Sequence, residues 1–391
     1  MRKILIVMPT MNVGGVERAL ISLLSVIPKE RYAIDLVLSK KDGDFLKKIP
    51  LHVKIMEAPY KKNIRAGDGI GVILNNLKAD KKYILWMKLL IAVMINKLFR
   101  VDKLISKVLY YNNDEEYNFL FNFAGVNSLS HILSKNVFKA HKKYIWVHGD
   151  TNAEEVVKYT DVYAKYDRIF CVSKAVTEKF KKYMPENSLR VENIYNEIDK
   201  KSILKQSYED SGLHRESKEV ILLTVGRLDV CKGYDIAIET CRRILNDGYN
   251  VKWYVIGEGA ERDSLEAAIK RKNMTHSFIL LGLKSNPYPY YRTTDIYVQT
   301  SISEGYCITL AEAKLFSKPI VTTNFSGADE QITNGKNGYI VSAKPSEIAR
   351  SIEFLIDNEK KRIEFSNSLD KGNYVSSFGK LEQIMNNDMN I

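Results

Sequence analysis

Apolar residues along this chain fall into short unbroken runs, separated by stretches in which they recur about every 3.6 positions. Runs at 4–8, 34–38, 53–56, 117–123, 143–147 and 168–172 predict strands, and runs at 220–225, 251–256, 278–281, 295–299, 319–323 and 339–341 predict more. Strands this continuously apolar are covered on both faces, as in parallel sheets. Helical stripes lie between them. The clearest is Val16, Ala19, Leu20, Leu23, Leu24 and Ile27; others follow Ser173, a helix-capping residue, and start at Tyr234 and near Thr309. Alternation of this kind predicts an α/β class with doubly wound sheets.

At 391 residues the chain exceeds one ordinary core, so two domains are expected. They are drawn at 1–200 and 201–372, with the polar stretch 200–218 as the linker. With 45% hydrophobic and 27% charged residues, 21 Gly and 9 Pro, neither disorder nor a repeat architecture is indicated. Cys171, Cys231, Cys241 and Cys307 are scattered, without C-x-x-C pairs or histidines at metal spacing. That argues against a zinc site and a disulfide framework, and suits a reducing cytoplasm. The first residues, MRKILIVMPT, hold too short an apolar run for a signal peptide.

Charge changes the picture. Residues 1–200 carry 34 Lys and Arg against 22 Asp and Glu, whereas residues 201–391 carry 25 of each, so the net charge of +12 sits in the first half. Such a surplus seeks a polyanion: an anionic membrane surface, a lipid diphosphate or nucleic acid. Segment 81–111 combines a dense apolar load with seven basic residues and one acid, Asp102. Its uninterrupted apolar piece is far below the roughly 20 residues needed to cross a bilayer. Two readings stay open: a helix packed in the first domain, or a basic helix in the membrane interface with Trp86 and Phe99 dipping in.

Candidate chemistry gathers where predicted strands give way to helices, the ligand-binding mouth of open parallel sheets. After 295–299 comes Ser301-Ile302-Ser303-Glu304-Gly305, and Glu312 follows eight positions on, in the first turn of the helix. Ionised carboxylates at such a mouth suit a vicinal diol of a sugar or ribose. Thr309-Leu310-Ala311-Glu312 also reads as a capping box, in which Glu312 only serves its own helix. Gly14 and Gly15, after the first strand, make a phosphate-type turn or a plain tight turn. His148 ends a strand, as either a structural or a ligand-facing group. Arg227 and Lys232 flank another strand-to-helix turn, a fork and a point charge suited to a diphosphate.

The whole pattern S-x-S-E-G-Y-x5-E-A-x4-K-P-I-V-T-T, with G-R-L-x3-K-G at 226–233, resembles the retaining, nucleotide-sugar-dependent glycosyltransferases of the GT-B fold, glycosyltransferase family 4. The resemblance implies two Rossmann-like domains across a cleft, an acceptor domain and a donor domain, with a terminal helix, 373–391, crossing back to the first. It implies that Glu304 contacts the donor sugar and Glu312 the ribose. Arg227 and Lys232 would neutralise the diphosphate, and His148 would hydrogen-bond the sugar. Gly14 and Gly15 would approach the diphosphate; Glu258 and Leu283 would flank the nucleotide. The backbone from Gly305, Tyr306 and Cys307 to Thr309 and Leu310 would offer the helix N-terminus to the leaving group.

Three departures from the family pattern are Leu315-Phe316-Ser317, Glu197 and Ala328, the last two where the family has Gly. The implied reaction is transfer of a sugar, from a UDP-sugar by default, to an acceptor hydroxyl without metal or cofactor. A glycan or lipid-linked saccharide of bacterial surface polysaccharide assembly is the expected acceptor, and a cytoplasmic or peripheral inner-membrane location follows. A soluble-acceptor enzyme of the glycogen or sucrose synthase type and a non-enzymatic polyanion-binding protein are the alternatives. A dehydrogenase lacks its complete G-x-G-x-x-G, and nucleic-acid binding would leave the two glutamates unexplained.

Overall fold

The computed structural model describes residues 1–67, 69–99, 102–126, 129–369 and 376–389. The chain folds into two compact units, Met1–Val172 with Thr177–Glu197 and Ser377–Ile391, and Ser173–Val176 with Ile198–Ser376.

The first unit begins β1 (Arg2–Met8), α1 (Gly15–Val26), β2 (Tyr32–Leu38) and β3 (Lys54–Glu57). Three helices follow: α2 (Ile70–Ala79), α3 (Tyr83–Phe99) and α4 (Lys103–Leu109). Then come β4 (Glu116–Asn122), α5 (Leu129–Asn136), β5 (Lys139–Val147), α6 (Ala153–Lys158), α7 (Thr160–Tyr163), β6 (Arg168–Cys171), α8 (Lys174–Tyr183) and β7 (Val191–Asn193). All seven strands run parallel in the order β3-β2-β1-β4-β5-β6-β7. Ile4, Leu5, Ile6 and Val7 are wholly buried, as a strand covered on both faces requires.

In the second unit α9 (Lys200–Gln206) precedes β8 (Val220–Val225), α10 (Tyr234–Asn246), β9 (Val251–Ile256), α11 (Arg262–Arg271) and β10 (Phe278–Leu280). The unit continues with α12 (Tyr288–Thr293), β11 (Ile296–Gln299), α13 (Ile308–Leu315), β12 (Ile320–Thr323), β13 (Tyr339–Val341), α14 (Pro345–Asp357) and α15 (Glu359–Ser368). Its parallel sheet is ordered β10-β9-β8-β11-β12-β13. Leu222, Trp253, Ile296, Val298 and Val321 are among the strand residues of a core that α10 and α14 cover with Ile238, Ile244, Ile348 and Ile352. Buried Trp253 donates its indole N–H to Thr224 Oγ1 at 2.9 Å.

The stretch expected to be a linker is partly helical. Asp199 accepts from the Ser202 amide and caps α9, whose Ile203 is buried, and Asn286 Nδ2 donates to the Gln206 carbonyl at 2.9 Å. One cap and one buried side chain suffice to order about two turns that show no apolar stripe.

The last helix, α16 (Phe378–Met389), belongs to the first unit. Phe378, Leu381, Ile384 and Met385 are buried. Asp388 accepts from Arg168 Nη2 (2.6 Å) and Tyr144 (2.8 Å), and Glu382 accepts from Tyr32 at 2.9 Å. Of the tail expected at 373–391, residues 373–375 and 390–391 lie outside the described residues. Glu197, which departs from the family's glycine, is 5% exposed and accepts from the amides of Ser377 (2.9 Å) and Phe378 (3.3 Å). It satisfies donors at the start of α16 that a glycine would leave to water.

Candidate functional site

The second sheet has its topological switch between β8 and β11: the chain leaves β8 toward β9 and returns to add β11 on the other side. The two loops that follow these strands meet there. The first, Gly226 to Gly233, is pressed onto the second. Gly233 has φ +62°, and a Cβ on it would lie 2.3 Å from the Thr300 carbonyl, so no larger residue fits without moving backbone. Thr300 Oγ1 donates to the Lys232 carbonyl (3.0 Å) and the Ile302 amide to the Cys231 carbonyl (2.8 Å).

This lacing sets Lys232 Nζ 2.5 Å from Glu304 Oε1, with the side chains 18% and 9% exposed. A directed series of hydrogen bonds backs the carboxylate. Tyr297 donates to Gln299 Oε1 (2.6 Å), Gln299 Nε2 to Ser301 Oγ (2.7 Å), and Ser301 Oγ to Glu304 Oε1 (2.7 Å). Burial works to lower the Lys232 pKa, but the Glu304 charge beside it prevails and holds it above its ordinary value.

Arg227, by contrast, is largely solvent-exposed at 72%, and it pairs with the Asp229 carboxylate, 3.4 Å from Nε. It is a cation with little structural commitment. Glu258, at the end of β9, receives Arg262 Nη1 at 2.5 Å. Gly282, after β10, has φ +73°, and a Cβ there would come within 3.1 Å of Glu258 Oε1. The next residue, Leu283, is exposed.

Helix α13 starts one residue before the expected place. Cys307 is its N-cap, in the left-handed region at φ 58°, with its carbonyl accepting from the Leu310 amide at 3.1 Å. Two expectations are thereby corrected. Thr309 lies inside the helix, so Thr309 to Glu312 is not a capping box, and Glu312 is in the second turn. Leu310's amide is already taken and is not open to a leaving group. Glu312 itself is wholly buried; Tyr288 donates to Oε1 at 3.2 Å and Tyr291 to Oε2 at 3.1 Å. Tyr306 and Cys307 are buried, and their carbonyls accept from Gln331 Nε2. Gly305 is buried between them and Glu304.

The remaining candidates belong to the first unit. Gly14 (φ −161°) caps α1 without a side chain, and Gly15 is the first residue of that helix. His148 follows β5, with Nε2 2.8 Å from the Phe123 carbonyl. A carbonyl only accepts, so Nε2 carries the proton and Nδ1, buried and without a hydrogen-bond partner, is the acceptor. Burial pushes the imidazole pKa down to about 4 against the opposing influence of the Phe123 carbonyl and Asn196, so His148 is neutral at physiological pH.

The structure thus unites Lys232 with Glu304 and sets Arg227, Glu258 and Leu283 in sequence along the same sheet edge. Four supporting residues were not foreseen: Gln299, Ser301, Tyr288 and Tyr291. Gln299 and Ser301 lie within the stretch that drew attention to Glu304. The tyrosines reach Glu312 only through the packing of α12 on α13, and no local pattern marks them. Among the described residues no group of His, Cys, Asp and Glu side chains is arranged to hold a metal ion.

Residues 208–371 match the family described as glycosyl transferases group 1. The N-acetylgalactosamine-N,N'-diacetylbacillosaminyl-diphospho-undecaprenol 4-α-N-acetylgalactosaminyltransferase of Campylobacter jejuni is 29% identical over 208 residues, 53% of this chain and 55% of that one. The capsular polysaccharide biosynthesis glycosyltransferase CapM of Staphylococcus aureus is 32% identical over 140 residues, 35% of this chain and 37% of that one. The chain therefore spans about half the length, or less, of these curated relatives. Among solved structures, Anabaena HepE, crystallised with UDP and glucose, superposes over 100% of both chains with a TM-score of 0.71 at 15% identity. That likeness shows the fold, which is GT-B.

Proposed function

We propose that this chain, which through residues 208–371 belongs to the glycosyl transferases group 1, is a retaining glycosyltransferase that moves a sugar from a UDP-sugar to a hydroxyl of a lipid-linked saccharide. The observation that carries the reading is the order of groups along the second sheet. From β10 to β11 stand Leu283, Glu258, the cations Arg227 and Lys232, and then Glu304. Four adjacent strands span about 14 Å at their usual spacing. A nucleotide sugar laid along that edge would put its base near Leu283, its diphosphate between Arg227 and Lys232, and its sugar at Glu304.

Chemically, the reaction needs stabilisation of a departing diphosphate and a fixed sugar. Arg227 brings a planar fork that is free to reorient, and Lys232 a charge poised beside the reacting end. The two cations and the first amides of α13 would meet the developing negative charge, so the proposed reaction uses no metal ion. When phosphate oxygens draw Lys232 away, Glu304 stays oriented by Ser301 and turns its acceptor capacity to the sugar hydroxyls. Glu312, held by two tyrosine hydroxyls, would serve the ribose. The C–O bond to the leaving phosphate breaks as the acceptor oxygen attacks the same face, and the acceptor's proton passes to the departing phosphate.

The lipid-linked acceptor and the setting in bacterial surface polysaccharide assembly are supported by the relatives from Campylobacter jejuni and Staphylococcus aureus. The test is a screen of nucleotide sugars for protection against thermal unfolding, since a ligand at about 100 times its Kd stabilises the native state by about 2.7 kcal/mol. A UDP-sugar that protects more than UDP alone is the expected result. If no nucleotide sugar protects, the reading is wrong; transfer to free glucan or fructose would favour a soluble-acceptor enzyme.

A further inference from the structure

Helix α3 presents two different faces. Leu89 and Ala92 are buried in the first unit's core, with Leu85, Trp86 and Val93 packed against it. Trp86, which one of the two readings put in the membrane interface, thus packs inward. On the other side Ile84, Met87, Ile91, Met94 and Leu98 are exposed by 72%, 56%, 52%, 57% and 73%. Their spacing of three, four, three and four residues draws one straight apolar line about 21 Å long, at about 1.5 Å per residue. Isolated exposed apolar residues are ordinary, but a continuous line of five marks a contact surface.

The surrounding charge identifies what covers it. Helix α3 has no acidic residue, and at about 3.6 residues per turn Lys88 and Lys97 fall on opposite borders of the line. Lys78, Lys81, Lys103 and Lys107 around it are exposed as well. The nearby described acids are already engaged: Asp102 is buried against Lys135 at 2.9 Å, and Asp80 pairs with Lys82 at 3.2 Å. A second copy docking through the same face would set lysines against lysines. No helix among the described residues is long and apolar enough to cross a membrane.

We propose that α3 lies in the interface of an anionic bilayer, with its apolar line among the acyl chains and its bordering lysines at the phosphates. The inference deepens the proposed function, because a lipid-linked acceptor would be met on that same surface.

The experiment is co-sedimentation of the full chain, without nucleotide or acceptor, with vesicles of phosphatidylcholine alone or with about one third phosphatidylglycerol. Binding is expected only to the anionic vesicles and is lost in about 0.5 M salt. The Ile91→Glu/Met94→Glu and Lys88→Gln/Lys97→Gln variants should each lower partitioning at least tenfold. A Leu98→Trp variant adds a readout that does not depend on loss of binding: its emission should shift to the blue on anionic vesicles. Wild-type failure to bind anionic vesicles at low salt would overturn the proposal, as would variants that bind like wild type. So would a wild-type dimer that Ile91→Glu/Met94→Glu converts to a monomer, since a second copy would then cover the line. Vesicle binding by a chain that no nucleotide sugar protects would refute the transferase reading alone; protection without vesicle binding would refute only this one.

Discussion

Replacing Lys232 by Ala is expected to weaken the unliganded fold as well as the reaction. The ammonium sits 2.5 Å from a carboxylate that is 9% exposed, and its removal leaves Glu304 with the Ser301 hydroxyl as its side-chain donor among the described residues. Breaking a buried ion pair by deleting one partner costs about 3–5 kcal/mol; with Lys232 itself 18% exposed, the lower end, about 3 kcal/mol, is expected here. For a folding unit of 150–250 residues, each kcal/mol corresponds to about 2–4 °C in Tm, so the second unit should melt about 6–12 °C lower. Lys232 has a raised pKa, so its contribution is fully present below the unfolded value of 10.5 and is lost only as pH rises through the folded value. The drop should therefore be the same at pH 6 and pH 8. Differential scanning calorimetry on Lys232→Ala, Glu304→Ala and the double variant closes a thermodynamic cycle. The double variant should be less damaged than the sum of the singles by about 1–3 kcal/mol. A Lys232→Ala protein melting within 2 °C of wild type, or strict additivity in the cycle, would show that the pair carries no stability and that the loops are held by their backbone bonds alone.

Other positions separate in the same way. Arg227→Ala should leave Tm within about 1 °C of wild type, because the side chain is 72% exposed, yet slow transfer about a hundredfold; near-normal turnover would remove it from the diphosphate site. Glu312→Gln should weaken binding of the free nucleoside diphosphate, while Glu304→Gln should abolish transfer and leave that affinity nearly intact. Equal calorimetric affinities for both variants would contradict this division. Tyr291→Phe deletes a hydrogen bond to a buried carboxylate and should cost about 1.5–3 kcal/mol; an unchanged melting curve would mean that Glu312 is held by other groups. Burial alone would raise the Asp388 pKa, but Arg168 and Tyr144 bring it below 3.8. Its contribution is present above 3.8 and is lost as pH falls through the folded value. Hydrogen exchange in α16 should accelerate in wild type only below that range and in Asp388→Asn already at pH 7; equal exchange in the two proteins at pH 7 would refute it.

Much of this was legible without coordinates. The parallel strands were readable because burial on both faces leaves uninterrupted apolar runs, as at Ile4 to Val7. Lys232 and Glu304 could be nominated because strand-to-helix loops at a sheet's mouth are where ligands bind. What escaped depended on long-range geometry. Glu197 looked like a misplaced glycine since the amides it serves, Ser377 and Phe378, are 180 and 181 positions away. The start of α13 was misjudged because nothing in Thr309 to Glu312 reveals that Cys307 takes a left-handed conformation. Segment 81–111 left two readings open because its apolar residues are dense on both faces of α3. Periodicity separates a face only when the other face is polar.

The first unit is built from residues that come first in the chain and residues that come after the whole second unit. Synthesis runs from the N-terminus, and domains ordinarily fold as they emerge. Here β1 to β7 are complete long before α16 exists, and the apolar places that Phe378, Leu381, Ile384 and Met385 fill stand open meanwhile. The earlier-made half thus finishes last. A nascent chain of this protein carries an incomplete first unit through the entire translation of the second, and that interval is when chaperone capture or aggregation through the uncovered surface would act on it.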